Sequence, residues 1–590
     1  MDAYILSLLH FNIQYCAGGT EGLIQDFPND DASVQDQTVV ESFDPVLAML
    51  EAHPSWHMDF EMQAYMVEIL AERHPESLRR LRALAESGQI EIVSFHYSDQ
   101  LFTAFPWRDQ QKSLELTQAV FAANNLPLSD VVFTQEGQFG EGMLDRMPEY
   151  GYHTAVLPHN LAQAVWGADS PQSTWRYRDD VRVIIGGSGY ATDTYTVNWH
   201  FLDDGELYAT DRMNCYLGSS FVEDPEAMAE HAAELQAQED AGAKIATIGE
   251  FMAAHGDDLA DPMPPMVDGT WQPDNTDNLG LWMGGMGLFG VDEDELVRTL
   301  NARAGHQLRA AELVDGADAD LVEEGWRDLL LGEVSDASGW NPLAVEVAYG
   351  KDYSTSAYEA ATAAIAPACA DGDDWLHVNL ATGEVTPNGV APIGGGDPAT
   401  APFALTFPSR PGTATWTTTA DADVLALEVD LDAGADPVDV VFPWDALSIS
   451  TIPSLSETMR EIPADQVALD PIGLPLALGV FRVSEGVWAI KQTESTHLAG
   501  LFSRSGGTIT FHDETGTADA RIQQYRVVLG DAARATEVAL SLNDAPEVDL
   551  ACPPGDASAD LPCGCQTGSP ASAATAVVFG ALLLARRRSR

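Results

Sequence analysis

Three short polar segments near the start of the chain carry side chains that could do chemistry. They are His10-Phe11-Asn12, His96-Tyr97-Ser98-Asp99 and Thr134-Gln135-Glu136, and each follows a short apolar stretch. All three offer groups that hydrogen-bond to a hydroxylated ligand, and the last adds a carboxylate that can serve as nucleophile or general acid. A single His or Glu after a strand is more often structural. Three polar strand ends in succession indicate one shared site.

The elements that position these segments alternate between strand-like and helix-like patterns over residues 1–260. Strands are predicted at residues 4–9, 90–95, 131–133, 154–157, 181–185 and 244–248, and helices at residues 44–52, 60–87, 109–124 and 225–241. Such alternation predicts an α/β domain with a parallel sheet, here closed into a barrel. Sites of such domains lie at the carboxyl ends of the strands, so the three polar segments should meet there.

The pattern changes beyond residue 260. Residues 290–332 have helical spacing of leucines, whereas residues 374–543 read as short alternating strands with Gly, Pro and Asp turns, which is typical of a β-sandwich. We therefore expect four parts. They are a barrel at residues 1–260, a helical subdomain that completes the site at 261–370, a β-sandwich at 371–548, and a tail at 549–590.

The charge balance excludes one class of partner. The 590 residues include 91 Asp and Glu but only 29 Lys and Arg, which gives a net charge of −62 although charged residues are only 20% of the total. Because nucleic-acid binding needs clustered basic side chains, no nucleic-acid partner is expected. An acidic surface of this kind suits a protein that stays soluble in a salty medium outside the cytoplasm.

The cysteine pattern is sparse, with six cysteines in the whole chain. Cys16, Cys215 and Cys369 are far apart and are predicted to be buried small apolar side chains. Cys552, Cys563 and Cys565 cluster near the C-terminus. No His lies near them and their spacing is a poor match to zinc sites, so no metal is predicted there.

The C-terminal tail has the order of a sorting signal. A spacer rich in Pro, Gly, Ser and Ala at 549–570 precedes an apolar run at 571–585 and an Arg cluster. A helix of the apolar run would rise only ~22 Å against a hydrocarbon core of ~30 Å. The order Cys-Gly-Cys, short apolar helix, Arg cluster resembles the MYXO-CTERM tail of myxobacterial surface proteins. That resemblance implies processing by a sorting protease near Cys563 or Cys565 and display on the cell surface.

An ordinary short tail anchor is the alternative, and it too would leave the body of the protein outside, with a membrane contact through the tail alone. Residues 1–9 lack the basic and small-residue features of an export signal. We therefore expect the natural start to lie upstream of the residue numbered 1.

The polar segments, taken with later motifs, resemble the family 57 glycoside hydrolases over roughly residues 4–345. The first-strand His of that family has its counterpart in His10, and the most specific match is Gly88-Gln89-Ile90-Glu91-Ile92 followed by His96. Phe133-Thr134-Gln135-Glu136 stands where the family carries its nucleophile. Further matches are Asp268-Gly269-Thr270-Trp271 with Trp282, and the run from Glu333 through Ser335-Asp336 to Trp340.

The resemblance implies a (β/α)7-type barrel and a retaining glycoside hydrolase or glucanotransferase that acts on an α-glucan-type poly- or oligosaccharide without a cofactor or metal. It assigns Glu136 as the nucleophile and Asp211 as the acid/base residue, with Asp203, Asp204 and Glu206 as alternatives for the latter. The two carboxylates of a retaining enzyme lie about 5–5.5 Å apart. The resemblance also implies a set of substrate-binding residues, namely His10, Asn12, Glu91, His96, Trp271, Trp282, Asp336 and Trp340.

Two other functions stay open on the sequence. Family 38 mannosidases and polysaccharide deacetylases share the barrel, and the mannosidases hold zinc through a His-x-Asp motif after the first strand; position 12 here is Asn instead. The run from His53 through His57 to Asp59 also has metal-binding residue types, but Asp59 is predicted to cap a helix that begins at Phe60. A non-catalytic carbohydrate-binding surface protein is the remaining alternative.

Overall fold

A computed structural model supplies the architecture. It describes residues 3–11, 13, 35–36, 38–166, 174–178, 180–186, 190–191, 195–201, 225–255, 261–266, 268–270, 294–338, 344–370, 373–380, 382–387, 397–408, 411–419, 421–432, 438–443, 448–451, 460–463, 472–473, 480–491, 501–505, 508–513, 521–543 and 547–553. The chain divides into a unit of Met1–Cys552 and a segment of Pro553–Arg590, and all of the segment except Pro553 lies outside these residues.

Two sheets of mainly parallel strands form the N-terminal region. In the first sheet, β1 lies between β2 and β9 and also pairs with β10, while β3 and β8 form the edges. These strands are β1 (Tyr4–Phe11), β2 (Met58–Met62), β3 (Ile90–Ile92), β8 (Tyr190–Ala191), β9 (Tyr195–Phe201) and β10 (Lys244–Ile245). All pairings are parallel except β8 with β9.

The second sheet has the order β11-β6-β7-β5-β4, in which β4, β5 and β7 are parallel. Its strands are β4 (Val131–Val132), β5 (Thr154–Pro158), β6 (Thr174–Tyr177), β7 (Val181–Gly186) and β11 (Asp261–Pro262). The Ser129 amide, just before β4, donates a hydrogen bond to the Ile92 carbonyl of β3, so the two sheets adjoin at that edge. The α/β class is thus confirmed, and a closed seven-strand barrel stays a prediction.

Helices follow most of these strands. They are α1 (Asp44–Ala52), α2 (Ala64–Arg73), α3 (Pro75–Ser87), α4 (Trp107–Ala123), α5 (Glu141–Arg146), α6 (His159–Trp166), α7 (Pro225–Asp240) and α8 (Ile248–His255). Local chemistry sets their ends: α3 begins at a proline, whose missing N–H costs nothing there, and stops at Gly88 with φ of +82°. Thr247 and Glu250 form a reciprocal capping box at the start of α8.

Side chains along β1 alternate between the two faces of the sheet. One face packs against residues of other strands, and the other packs against helices. Leu6 and Leu8 pack with Val93, Val131 and other strand residues in one buried cluster. The alternate residues of β1, such as Leu9, pack instead against helices. Because side chains alternate across a strand, His10 shares the inner face with Leu6 and Leu8.

The strand β2 contradicts the predicted helix at residues 60–87. Met58–Met62 is extended and fully buried, and the helices α2 and α3 begin only at Ala64 and Pro75. Asp59 is therefore a strand residue and not a helix cap. The period-2 pattern Met-Asp-Phe-Glu-Met was the available signal: Met58, Phe60 and Met62 pack toward the helices, and the acidic residues face the opposite side.

Three further helices precede the β-rich region, and they agree with the helical pattern predicted from residue 290. They are α9 (Asp294–Glu312), α10 (Ala319–Gly332) and α11 (Ala344–Ala364), and Asp318 caps α10 by accepting hydrogen bonds from Asp320 N and Leu321 N. Side chains of these helices share a core with strands β12 (Trp375–Asn379) and β25 (Glu547–Ala551), which pair with each other. A third strand, β13 (Glu384–Pro387), pairs with β12.

The structure corrects the prediction for Cys369. This residue forms a disulfide with Cys552, across a sequence separation of 183 residues. The bond is possible because β12 and β25 are neighbours, which brings the chain before β12 and the chain after β25 together. No local pattern indicates this pairing, because the two cysteines are far apart in the chain and Cys552 is followed closely by Cys563 and Cys565.

The remaining strands are antiparallel, and the predicted β-rich character beyond residue 374 is confirmed. One sheet has the order β14-β15-β24-β21-β20, another β16-β23-β22-β19, and β17 pairs with β18. The strands are β14 (Gly412–Thr418), β15 (Val424–Leu431), β16 (Val438–Pro443), β17 (Ser448–Thr451), β18 (Arg460–Pro463), β19 (Ile472–Gly473), β20 (Val480–Ser484), β21 (Val487–Lys491), β22 (Leu501–Ser505), β23 (Thr508–Asp513) and β24 (Arg521–Leu529), with helix α12 (Ala532–Asn543) after them. Phe442 of β16 contacts Tyr525 of β24, so the two larger sheets touch. A complete β-sandwich stays a prediction.

Within the described part of the chain, no helix has both the length and the apolar character that a membrane crossing requires. Of the predicted tail, residues 549–551 belong to strand β25, whereas residues 554–590, including the apolar run, lie outside that part.

Candidate functional site

A tight turn after β4 carries Glu136, the predicted nucleophile. Gln135–Gly137 form a single 3-10 turn, in which Glu136 has φ of +56° and ψ of +17°. This left-handed conformation is uncommon for a residue with a side chain and costs free energy unless the surroundings enforce it. Glu136 is 8% exposed, so its carboxylate reaches the surface only slightly.

Hydrogen bonds close the turn around Glu136. Gly137 N donates to Thr134 O at 2.9 Å, and Thr134 Oγ1 donates to Gln138 O at 2.6 Å. The amide of Gln138 donates to Gln100 O and Gln135 O, and its oxygen accepts from Thr103. These bonds over-determine the turn, which explains how the strained backbone at Glu136 persists.

The carboxylate of Glu136 lies between two polar side chains. Gln135 Nε2 donates to Glu136 Oε1 at 3.1 Å, and Ser335 Oγ donates to the same oxygen at 3.4 Å. Ser335 belongs to the Ser-Asp run at residues 335–336, which the structure thus places beside Glu136. Asp336 follows in the same 3-10 turn and is half-buried.

His96 links Glu136 to the inner face of the first sheet. Gln135 N lies 3.4 Å from His96 Nε2, which acts as the acceptor. Burial, and then the nearby His10, lower the pKa of His96 to about 3, so the imidazole is neutral. The contact of 3.7 Å between His96 Nε2 and Glu61 Oε1 is therefore not an ion pair.

Glu61 is a site residue that the sequence analysis missed. It lies at the end of β2, directly opposite His10 of β1, and its Oε2 contacts His10 Nδ1. Both side chains are buried. The error followed from the helix predicted over residue 60, because a helical assignment hides the alternation that turns Asp59, Glu61 and Gln63 to one face.

Asp99 and Gln63 complete this group. Gln63 Nε2 donates to Asp99 Oδ1 at 2.7 Å and also to the Phe11 carbonyl. One ring nitrogen of His10 and one carboxylate oxygen each from Glu61 and Asp99 lie within 4.8 Å of one another. Imidazole nitrogens and carboxylate oxygens are common metal ligands. Among the described residues, these three side chains are therefore the best placed to hold a metal ion.

The loop at 333–335 is fixed from behind by the buried Arg298 of α9. Its guanidinium donates to three successive carbonyls: to Glu333 O at 2.9 Å, to Val334 O at 3.0 Å and to Ser335 O at 3.4 Å. Burial lowers the pKa of Arg298 to about 9, so it is still charged at neutral pH. Ser335 N donates to Asp99 O, which joins this loop to the segment after β3.

Beneath this loop, the Glu333 carboxyl is fully buried. Gln100 Nε2 donates to its Oε2 at 2.7 Å. Burial raises the pKa of Glu333 well above its ordinary value, and the neighbouring carboxyl of Asp109 raises it further. The hydrogen bond from Gln100 thus holds the Glu333 side chain beneath the loop that carries Ser335.

The described contacts of Glu91 are structural. Its carboxylate accepts from Gly249 N at 2.9 Å and from Ser129 Oγ at 2.6 Å. Asp59 accepts from Ile248 N beside it, so the two acids hold the first amides of α8. Burial, and then the adjacent Glu91, raise the pKa of Asp59. A side chain at Gly249 would collide with Glu91, which explains the glycine.

Five of the predicted site residues lie outside the described residues, namely Asn12, Asp211, Trp271, Trp282 and Trp340, as do the acid/base alternatives Asp203, Asp204 and Glu206. Their roles stay predictions. The segment that precedes Trp271 is described: Gly269 and Phe139 exchange two backbone hydrogen bonds next to the Glu136 turn. The structure thus brings His10, His96, Glu136 and Ser335-Asp336 together.

Taken together, the fold and the site define an α/β protein with a buried carboxylate and imidazole site at the carboxyl ends of parallel strands. Polar groups converge there on one carboxylate held in a strained turn. Such an arrangement is able to bind a polyhydroxylated ligand and to present Glu136 to it.

Comparisons with known proteins give distant likenesses, and no protein-family model matches the chain. A curated relative, "Alpha-amylase 1" from Dictyoglomus thermophilum, is 24% identical over 102 residues, which are 17% of this chain and 13% of that protein. The chain therefore matches only a small part of that relative's length.

Among solved structures, an α-mannosidase from Enterococcus faecalis V583 aligns with a TM-score of 0.57 at 9% identity, over 92% of this chain and 89% of that one. This likeness shows a common fold. A 4-α-glucanotransferase from Thermococcus litoralis aligns over 90% of this chain and all of its own, at 10% identity, but its TM-score of 0.45 is too low to bear on the fold.

Proposed function

We propose that the protein is a family 57-like retaining glycoside hydrolase or glucanotransferase that acts on an α-glucan-type polysaccharide. The observation that carries the proposal is the strained, nearly buried Glu136, which lies between Gln135 and Ser335 at the end of a parallel strand. Strain of this kind concentrates at functional sites, where surrounding bonds maintain it. The 102-residue match to an α-amylase supports the same class of substrate.

In the proposed reaction, a Glu136 oxygen attacks the anomeric carbon while the glycosidic bond breaks. The acid/base residue, Asp211, gives its proton to the departing oxygen. It then removes a proton from water, or from a sugar hydroxyl in the case of transfer, and the new oxygen displaces Glu136 with net retention. The amide of Gln135 and the hydroxyl of Ser335 hold the Glu136 carboxylate in one orientation, which lowers the entropic cost of attack.

We further propose that the protein works at the cell surface, where a sorting protease would process the C-terminal tail. The disulfide between Cys369 and Cys552 supports a location outside the reducing cytoplasm. The large excess of acidic residues is consistent with such a medium. A closed barrel, with a helical subdomain completing the site and a β-sandwich after it, is part of the same proposal.

The proposal is tested by measuring the turnover of a panel of α-glucans by the full-length protein and by its Glu136→Gln variant. We expect turnover to fall at least ~10³-fold while oligosaccharide binding, measured by calorimetry, changes little, because Gln keeps the shape but is no nucleophile. Glu149→Gln changes an exposed acid in the turn between α5 and β5; this variant serves as the control and should keep its activity. Equal turnover by Glu136→Gln and the unaltered protein would exclude Glu136 as the nucleophile.

The acid/base assignment is tested by leaving-group dependence. Asp211→Asn should lose activity on α-glucans but keep most of its kcat/KM on activated aryl glycosides, because the first step then needs no proton for the leaving group. Asn or Gln substitutions at Asp203, Asp204 and Glu206 should not separate the two substrates in this way. If one of them did, and Asp211→Asn did not, that position would hold the acid/base residue. A wild-type protein that binds sugars but turns over none of the panel would be a binding protein.

An α-mannoside hydrolase of the zinc-dependent mannosidase type is the second candidate function. The observation that favours it is the fold likeness to the E. faecalis α-mannosidase over 92% of the chain. Aryl α-mannosides in the same panel separate the two. Turnover of mannosides without turnover of α-glucans would establish the second candidate.

A further inference from the structure

His10, Glu61 and Asp99 form a compact group of metal-binding side chains, called here the His10 cluster. The three come from different parts of the chain: β1, the end of β2, and the segment after β3. Each contributes one nitrogen or oxygen, and these atoms lie within 4.8 Å of one another. Ligands of a divalent transition metal sit about 2.0–2.2 Å from the ion, so a shift of roughly 1 Å would bring all three into its coordination shell.

A second observation points to a ligand at the same place. Glu61 is 0% exposed, yet its Oε1 accepts no hydrogen bond from any residue in the described part of the chain. The nearest group is His96 Nε2 at 3.7 Å, and that nitrogen already accepts from Gln135 N. The side-chain oxygen of the buried Gln63 likewise accepts no hydrogen bond within the described residues.

Leaving these buried oxygens without a cation or a hydrogen-bond donor costs free energy. A carboxylate taken out of water loses much of its solvation free energy unless a cation or hydrogen-bond donors replace the water. The partners that the structure gives to Glu61 are the imidazoles of His10 and His96. A metal ion would supply Glu61 Oε1 with the partner that no described residue provides.

We propose that His10, Glu61 and Asp99 bind one divalent first-row transition-metal ion, with the Gln63 amide oxygen as an additional ligand. One imidazole with two carboxylates suits Zn²⁺ or Mn²⁺ better than the all-oxygen shells that Ca²⁺ and Mg²⁺ prefer. The site does not depend on a His-x-Asp motif, which this chain lacks because position 12 is Asn. It also stands apart from the proposed function, since Glu136 is not among its ligands.

The experiment measures metal content and not activity. Full-length protein is stripped with chelator, incubated with Zn²⁺, Mn²⁺, Ca²⁺ or Mg²⁺, desalted and assayed by mass spectrometry of the metal. We expect close to one Zn²⁺ or Mn²⁺ per chain and a raised thermal midpoint. Glu61→Gln and Asp99→Asn should each lower the bound metal at least ~10-fold, because each removes a charged ligand.

Glu136→Gln is the matched control, since it neutralises a nearby buried acid outside the cluster, and it should keep one metal per chain. This variant also separates the two proposals, because it should lose turnover and retain metal. For the case in which the Glu61 and Asp99 variants do not fold, X-ray absorption of the zinc-loaded unaltered protein should show one imidazole with oxygen ligands. Absence of stoichiometric metal, equal binding by Glu61→Gln, or a zinc shell without imidazole would each overturn the proposal.

Discussion

At the scale of single residues, Glu136 adopts a backbone conformation that residues with a side chain rarely take. Its left-handed backbone costs ~1 kcal/mol or more compared with glycine, and a glycine does follow it at Gly137, with φ of +53°. The bonds of Thr134 and Gln138 hold the turn in place. The carboxylate is thereby aimed at one point, which a relaxed turn would not guarantee.

This strain predicts an unusual order of stability among variants of Glu136. Glu136→Gly should be more stable than Glu136→Ala by about 1 kcal/mol, because both lose the carboxylate but only glycine adopts φ of +56° without strain. Urea unfolding of the two variants measures the difference. The same pair at Gln118, inside helix α4, should give the opposite order by about 1 kcal/mol. Equal stability of the two Glu136 variants would mean that the backbone is not strained.

At the scale of elements, the contact between α10 and α11 includes a partly buried acid, Asp328. Asp328 on α10 accepts a hydrogen bond from Ser356 Oγ on α11 at 2.5 Å. Burial, partly offset by the hydrogen bond from Ser356 and aided by the nearby Glu324, raises the pKa of Asp328 to about 6. The folded protein thus binds this proton more tightly than the unfolded chain, whose Asp has an ordinary pKa near 3.8.

The sign of the pH effect follows from that difference. Between pH 4 and pH 6 the folded state binds more protons, so the Asp328 contribution to stability is fully present below the unfolded pKa and is lost as the pH rises through about 6. Asp328→Asn should therefore raise the free energy of unfolding at pH 7.5 by about 1–2 kcal/mol, discounted for partial exposure, and give no gain at pH 4. Denaturant unfolding at the two pH values tests this.

A control for that experiment is available on the partner helix. Asp352 on α11 is exposed, so Asp352→Asn makes the same change in net charge without relieving burial. It should alter stability by less than about 0.5 kcal/mol at either pH. A gain from Asp328→Asn of the same size at pH 4 and pH 7.5 would contradict the assigned titration.

At the scale of the whole molecule, one covalent bond ties the end of the β-rich region to the helices before it. Cys369 follows the 3-10 turn Ala366–Ala368, and Cys552 follows β25. The bond closes a loop of 183 residues that holds most of the antiparallel strands. Closing so long a loop removes much conformational freedom from the unfolded chain.

The disulfide should contribute about 5 kcal/mol of stability in the loop-entropy description. Addition of a reductant is expected to lower the thermal midpoint of the unaltered protein. The double variant Cys369→Ser with Cys552→Ser should start at the lower midpoint and not respond to reductant. Calorimetry with and without reductant decides this, and a reductant response that persists in the double variant would assign the effect to other cysteines.

The sequence by itself determined the α/β class, the antiparallel β-rich character that follows it, and three of the strand-end residues that meet in the site. It did so because apolar periodicity and polar strand ends are local signals. His10, His96 and Glu136 each stand directly after an apolar run, and the common direction of parallel strands brings such ends to one edge.

Only the tertiary structure decided which acids face one another. Glu61 was hidden by a run that reads as a helix, and its strand character depends on pairing with His10 across β1 and β2, which are far apart in the chain. Glu91, predicted to bind substrate, has described contacts with Gly249 of α8 and with Ser129. The Cys369–Cys552 bond likewise depends on a non-local pairing, of β12 with β25. Such contacts are set by the burial of whole elements, which no local pattern encodes.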